Sequence, residues 1–179
     1  MTLTLAQLDA MPVDAAAAAL AGLYEHSPWI VAAALRARPF GGLAQLKKAL
    51  VAAVAEGGHD AQLALLRAHP RLAGKAMVAG TLTAESTGEQ ARSGLTNCSP
   101  AEFARLHELN DLYDRRFGWP FILAVRGPDG RGLTRAAIID TFERRLRLAP
   151  ADEFAECLRN VHRIAEIRLD DRLGVTRGA

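Results

Sequence analysis

The chain has 179 residues, enough for one domain with a sizeable core. Half are hydrophobic and only 6% aromatic, so that core is expected to be mostly Ala, Leu, Val and Ile. The 22 basic and 20 acidic residues leave a net charge of +2, which speaks against a dedicated nucleic-acid binder with its concentrated basic stripe and leaves room for a local cationic site for an anionic ligand.

Residues 4–10 read as a first short helix, and Pro12 with Asp14 opens a second through Tyr24. Ser27-Pro28 is a restart signal, Ser as N-cap and Pro at the first helical position. The chain breaks at Arg38-Pro39-Phe40-Gly41-Gly42, after which Leu43, Leu46, Leu50 and Val54 carry one apolar helical face as far as Gly57-Gly58. Asp60 is suited to cap the next helix, which carries Leu63, Leu65 and Leu66 and ends before Pro70. Residues 71–84 lack clear periodicity, and a helix is expected from about Ser86 to Gly94. Ser99-Pro100 starts another, with Phe103, Leu106, Leu109, Leu112 and Tyr113 near one face and Gly118 at its C-terminal stop. Phe121–Val125 reads as extended or irregular backbone because no second strand pattern exists to pair with it. Pro128-Asp129-Gly130 is a turn. Thr134 caps a helix carrying Ile138, Ile139, Phe142 and Leu146, and the last helix, about 151–173, carries Phe154, Leu158, Val161, Ile164, Ala165 and Leu169. There is no internal repeat. The pattern predicts an all-α, single-domain bundle of about seven to nine helices.

Cys98 and Cys157 are too few for a disulfide framework and are expected to be free thiols. No basic start joined to an apolar run marks a signal peptide, Ala15–Ala19 is too short to span a bilayer, and Arg177-Gly178-Ala179 is not a peroxisomal address. No membrane association is indicated, and a cytoplasmic location is the default expectation.

The residues able to carry chemistry each have an ordinary structural reading beside a functional one. His69 can simply favour the negative end of a helix dipole, or act as a general acid or base, since imidazole titrates near neutrality. Ser86 and Glu89 have capping-box spacing, which leaves Gln90 on the surface; the same helix start would also present donors to an anion. Arg168 lies four residues after Ile164, near the apolar face of the last helix; Arg163 is its neighbour. Either a solvated side chain or inward recognition of a carboxylate or ureido group fits. His26, His59, His69, His107 and His162 show no metal-ligand spacing, and neither a phosphate-binding glycine loop nor a Gly-x-Ser-x-Gly elbow is present. No metal or organic cofactor is expected.

Ordered along the chain stand Tyr24-Glu25-His26-Ser27-Pro28-Trp29, Arg38-Pro39-Phe40, Ala68-His69-Pro70-Arg71-Leu72-Ala73-Gly74, Leu82-Thr83, Ser86-Thr87-Gly88-Glu89-Gln90, Ser93-Gly94-Leu95, Leu109-Asn110-Asp111-Leu112-Tyr113, Phe117-Gly118-Trp119-Pro120-Phe121-Ile122 and Ile164-Ala165-Glu166-Ile167-Arg168-Leu169. In this set the chain resembles the OHCU decarboxylase family of urate breakdown, which acts on 2-oxo-4-hydroxy-4-carboxy-5-ureidoimidazoline. The resemblance implies an all-α fold, a homodimer, no cofactor and a small-molecule substrate. It places the catalytic His on His69. Ligand contacts fall on Pro70, on Ser86, Thr87, Gly88, Glu89 and Gln90, and on the backbone of Phe121, Ile122, Leu123, Ala124 and Val125. Glu89 shares in catalysis by orienting His69 or binding ureido N–H groups, and a cationic contact falls on Arg168, with Arg163 as the rival. Arg71 departs from the acid more usual after His-Pro and bears on the field around His69; Trp119 replaces a commoner Phe. The resemblance also implies functional coupling to a hydroxyisourate hydrolase, because OHCU is labile. A related decarboxylase or lyase on another ureido hydroxy-acid, and a non-catalytic helical binding module, are the alternatives.

Overall fold

Short-range signals start several of the helices, and the computed structural model shows which of them act as read. It describes residues 3–73, 95, 98–127 and 132–175, and among these the regular structure is eight α-helices and one 3-10 turn, with no strand. They are α1 (Leu5–Ala10), α2 (Val13–Ala19), α3 (Pro28–Ala34) continued by a 3-10 turn (Leu35–Ala37), α4 (Leu43–Glu56), α5 (Gly58–Arg67), α6 (Pro100–Phe117), α7 (Arg135–Arg145) and α8 (Pro150–Arg172). The all-α class is the one observed. The helix expected from Ser86 to Gly94 and the turn at Pro128-Asp129-Gly130 lie outside the described residues. By its contacts the chain divides into two compact units, one of Met1–Ala68 with His162–Gly178 and the other of His69–Val161, so that α8 contributes to both.

In the first unit α3 packs on α4. Gly57, just past α4, permits a close approach: a Cβ there would lie 2.8 Å from the Trp29 ring. Leu8, Leu20, Ile30, Leu46, Leu65, Leu66 and Leu169 are fully buried, each such side chain contributing about 1.5–3 kcal/mol by leaving water. The Arg38-Pro39-Phe40 break is fastened to α1 from both sides. Arg38 Nη1 donates to the carbonyls of Leu8 (3.0 Å) and Met11 (2.8 Å), satisfying the end of the helix. Asp9 in turn accepts from the Phe40 amide at 3.0 Å.

Two starts and stops differ from expectation. α2 ends at Ala19 rather than Tyr24, because Gly22 takes a left-handed φ of +79° and the chain turns Tyr24 and Glu25 into the core. α5 begins at Gly58 (φ +74°), so Asp60 is a first-turn acid rather than the cap, still favourably placed on the helix dipole.

The buried Tyr24 hydroxyl lies 3.0 Å from His162 Nδ1 on α8. Burial pushes the His162 imidazole below its usual range and the Tyr24 phenol above its own. The folded state thus favours neutral His162, and the unfolded chain binds the additional proton. The stabilisation is present above the unfolded value of about 6.5 and is lost as pH falls through the depressed folded one. Thermal melts at pH 7.5 and 5.5 are therefore expected to show a larger acid-induced drop in the wild type than in His162→Gln. Equal drops would remove His162 from the account.

In the second unit α6 packs on α7. Ser99 and Glu102 form a reciprocal capping box at the start of α6, Pro100 is its first residue, and Gly118 closes it at φ +77°. Thr134 Oγ1 accepts from the Ala137 amide to start α7. The buried face of α6 is Leu106, Leu109, Asn110, Tyr113 and Phe117. Leu112, expected on that face, is 39% exposed, because it sits one residue, about 100°, from Tyr113 on the helix. Tyr113 meets Phe121 and Phe142 edge to face, and those two rings stack at 3.7 Å.

Candidate active site

The His69-Pro70 turn follows α5 directly: α5 stops at Arg67 with Ala68 as its C-cap, and Pro70 bars continuation. His69 is half-buried, with Nδ1 shut off from solvent. What holds the turn in place comes from α6. Arg71 sets a fork on Asp114, with Nε 2.8 Å from Oδ2 and Nη2 on the same oxygen, and reaches Asp111 through Nη1 at 3.0 Å. Buried Asn110 donates through Nδ2 to the Leu72 carbonyl (2.8 Å) and to Leu106 of its own helix (2.9 Å). The following Ala73 takes φ +49°, a left-handed conformation that a non-glycine residue holds only against strain. The positive charge that Arg71 brings beside His69 is thus matched by two carboxylates, and the hydrogen bonds with Asp114 outweigh partial burial and raise the guanidinium's pKa.

The 121–125 segment belongs to the same unit. Phe121–Ala124 has neither helical nor sheet structure, as read from the sequence, and Val125 enters a turn. Phe121, Ile122 and Val125 are buried, while Leu123 and Ala124 are half-buried. Its backbone is gripped by side chains in place of a ladder. Arg145 Nη1 donates to the Ile122 carbonyl at 2.7 Å, and Asn160 Oδ1 accepts from the Ala124 amide at 3.0 Å. The Val125 carbonyl accepts from the Leu133 amide at 2.7 Å.

Arg145 is the feature that sequence reading missed. It is 0% exposed, as is Glu153, whose carboxylate takes Nε at 2.9 and 3.1 Å and also Nη2. Tyr113 donates its hydroxyl to the same carboxylate, and Cys157 Sγ lies 3.2 Å from Arg145 Nη2. Burial acts to lower the guanidinium's pKa, but the bond with Glu153 and the surrounding field prevail and hold it above its ordinary value. Burial also pushes the Cys157 thiol up to about 11, so it is an inert protonated thiol at neutral pH. Nothing local marks Arg145: it closes an amphipathic helix whose neighbouring Arg144 is exposed. The only sequence signal is an acid eight positions on, across the α7–α8 turn.

Arg168 belongs to the first unit. It is 4% exposed and its Nη1 donates to Glu25 Oε2 (2.9 Å) and to the Gly22 carbonyl (2.8 Å). Its rival Arg163 is more open and pairs with Glu166 at 2.8 Å. Ser86, Thr87, Gly88, Glu89 and Gln90 lie outside the described residues. The structure therefore gathers His69, Pro70 and residues 121–125 in one unit. A shallow groove along α5, lined by Asp60, Leu63, Ala64, Arg67 and Ala68, contains none of the predicted site residues. Among the described residues no three His, Cys, Asp or Glu side chains are grouped as a metal ion would need, and no helix is long and apolar enough to cross a membrane.

Comparison with known proteins adds an independent line. The family model for OHCU decarboxylase matches residues 9–170. A 2-oxo-4-hydroxy-4-carboxy-5-ureidoimidazoline decarboxylase of Haloferax volcanii is 37% identical over 172 residues, 95% of this chain and 96% of that protein. The protein of the same name from Mus musculus is 40% identical over 152 residues, 85% of this chain and 83% of its own. Among solved structures, an (S)-allantoin synthase matches at a TM-score of 0.73 and 29% identity, over 96% of this chain and 54% of that one, so this chain spans about half of the solved protein.

Proposed function

The chain belongs to the OHCU decarboxylase family, and from that premise we propose that it decarboxylates 2-oxo-4-hydroxy-4-carboxy-5-ureidoimidazoline to (S)-allantoin. The observation that carries this reading is the match of the family across residues 9–170, together with relatives of that name matched over most of their length.

The chemistry suits a protein that supplies only positioned polar groups. The substrate bears a carboxylate and a hydroxyl on one ring carbon, next to a ring C=N. When the bond to CO2 breaks, its electron pair moves toward that C=N, whose nitrogen takes a proton. The resulting enol loses its hydroxyl proton as the carbonyl forms, and the neighbouring carbon gains a proton on one face. His69 is assigned the proton transfers, through Nε2 because Nδ1 is buried. Positioned acid–base catalysis of this kind contributes about 10²–10⁴-fold. Glu89 orients His69 or binds ureido N–H groups; Ser86, Thr87, Gly88 and Gln90 hold ring and ureido atoms; Pro70 and the backbone of 121–125 complete the contacts. Cationic recognition is assigned to Arg168, with Arg163 as the alternative. The reading extends to a cytoplasmic homodimer fed by a hydroxyisourate hydrolase, since the substrate decays on its own to racemic allantoin.

The test is circular dichroism of allantoin formation with OHCU generated in situ from urate. Rapid appearance of optically active (S)-allantoin is expected. Product that forms only at the spontaneous rate and is racemic would sink the reading.

A further inference from the structure

A fully buried ion pair is weak evidence for stability, because well-packed apolar side chains of similar volume often do as well or better. Arg145 and Glu153, both 0% exposed, therefore call for another account. Two of the three guanidinium nitrogens face Glu153; the third, Nη1, reaches out to the Ile122 carbonyl at 2.7 Å. The guanidinium also lies 4.5 Å over the Phe121 ring, which stacks on Phe142 and meets Tyr113 edge to face. Two positions further on, Asn160 takes the Ala124 amide at 3.0 Å and is itself fixed by a bond from Nδ2 to the Glu156 carbonyl, also at 3.0 Å.

The Ile122 carbonyl and the Ala124 amide, on either side of Leu123, are thus both anchored by side chains. Among the described residues the Leu123 N–H and C=O make no hydrogen bond, and the residue is half-buried rather than sealed. A donor and an acceptor side by side match an amide or ureido group. A segment without a ladder would otherwise have to be ordered by the ligand at a cost in affinity.

We propose that Arg145 is a positioning residue: balanced by Glu153 and assisted by Asn160, it fixes the 121–125 backbone so that the Leu123 N–H and C=O are held ready for the amide-like part of the substrate. The inference rests on the reading of this segment as substrate-contacting in an OHCU decarboxylase.

The test compares wild type, Arg145→Lys, which keeps the charge and loses the fork, and Asn160→Leu, which removes the acceptor for Ala124. Initial rates are measured over a range of freshly generated OHCU, and each protein is melted. KM does not depend on the fraction of protein folded, so a merely structural role leaves it unchanged. The expected result is a loss of about 10- to 100-fold in kcat/KM, mostly as a rise in KM, in each variant that retains the helical spectrum. A lowered melting temperature with KM unchanged overturns the proposal; if Arg145→Lys does not fold, Asn160→Leu decides alone. A wild type that fails to turn over OHCU defeats the functional reading itself and takes this inference with it.

Discussion

His69→Asn is expected to fold as the wild type does and to form (S)-allantoin about 10²–10⁴-fold more slowly, roughly 3–5.5 kcal/mol of barrier. The described ties of this turn come from its neighbours: Arg71 is forked on Asp114, Asn110 holds the Leu72 carbonyl, and Pro70 enforces the break after α5. Asparagine is smaller than histidine and polar, so it fits a half-buried position without introducing a charge. What it lacks is a group that exchanges a proton near neutral pH. Some rate should survive, because the substrate's own C=N accepts the electron pair and the remaining contacts still orient it. The measurement is the circular dichroism assay on variant and wild type at matched concentration, with far-ultraviolet spectra to establish the fold. Full turnover by a folded His69→Asn would remove His69 from the chemistry. Racemic product from the wild type would show that the enzyme does not control the protonation of the neighbouring carbon.

What could be read in the sequence was what depends on near neighbours. Ser99-Pro100 starts α6, with Pro100 at the first helical position, and Gly118 takes the left-handed stop; each acts within a turn of chain, and each is found as expected. The irregular character of 121–125 was legible for a similar reason, since it lacks both a helical period and a partner strand. The end of α2 was not, because Gly22 acts as a stop only when Tyr24 and Glu25 turn inward to meet His162 and Arg168. Arg168 shows the same limit. Its spacing from Ile164 placed it near the apolar face, but Glu25, its partner, lies 143 residues earlier. Arg145 was hidden altogether, since an arginine ending an amphipathic helix reads as solvated until the fold brings Glu153, Tyr113 and Ile122 around it. Arg38-Pro39-Phe40 carried part of the family resemblance, and its described bonds fasten α1. A motif can thus mark a family through packing alone, whereas His69 combines a half-buried imidazole with a turn held from outside.

Glu153→Ala is expected to be the most destabilising of the substitutions considered. It leaves the Arg145 guanidinium, 0% exposed, without its counter-charge, and deprives Tyr113 of its acceptor. Removing one partner of a buried ion pair costs about 3–5 kcal/mol, a large share of the 5–15 kcal/mol or so that holds a typical domain together. For a chain of this size that corresponds to a fall of roughly 6–20 °C in melting temperature. Thermal denaturation followed at 222 nm would show it, and a fall of only a degree or two would mean that water or a local shift compensates the charge. The double variant Arg145→Met/Glu153→Leu separates the two tasks of the pair. With no charge left to compensate and comparable volume restored, most of the lost stability should return. The Ile122 carbonyl would still have no donor, so KM should remain raised although the melt recovers. Recovery of both would make Arg145 a packing residue and nothing more. Recovery of the melt alone would show that this buried pair is kept to hold the 121–125 backbone in place for the substrate.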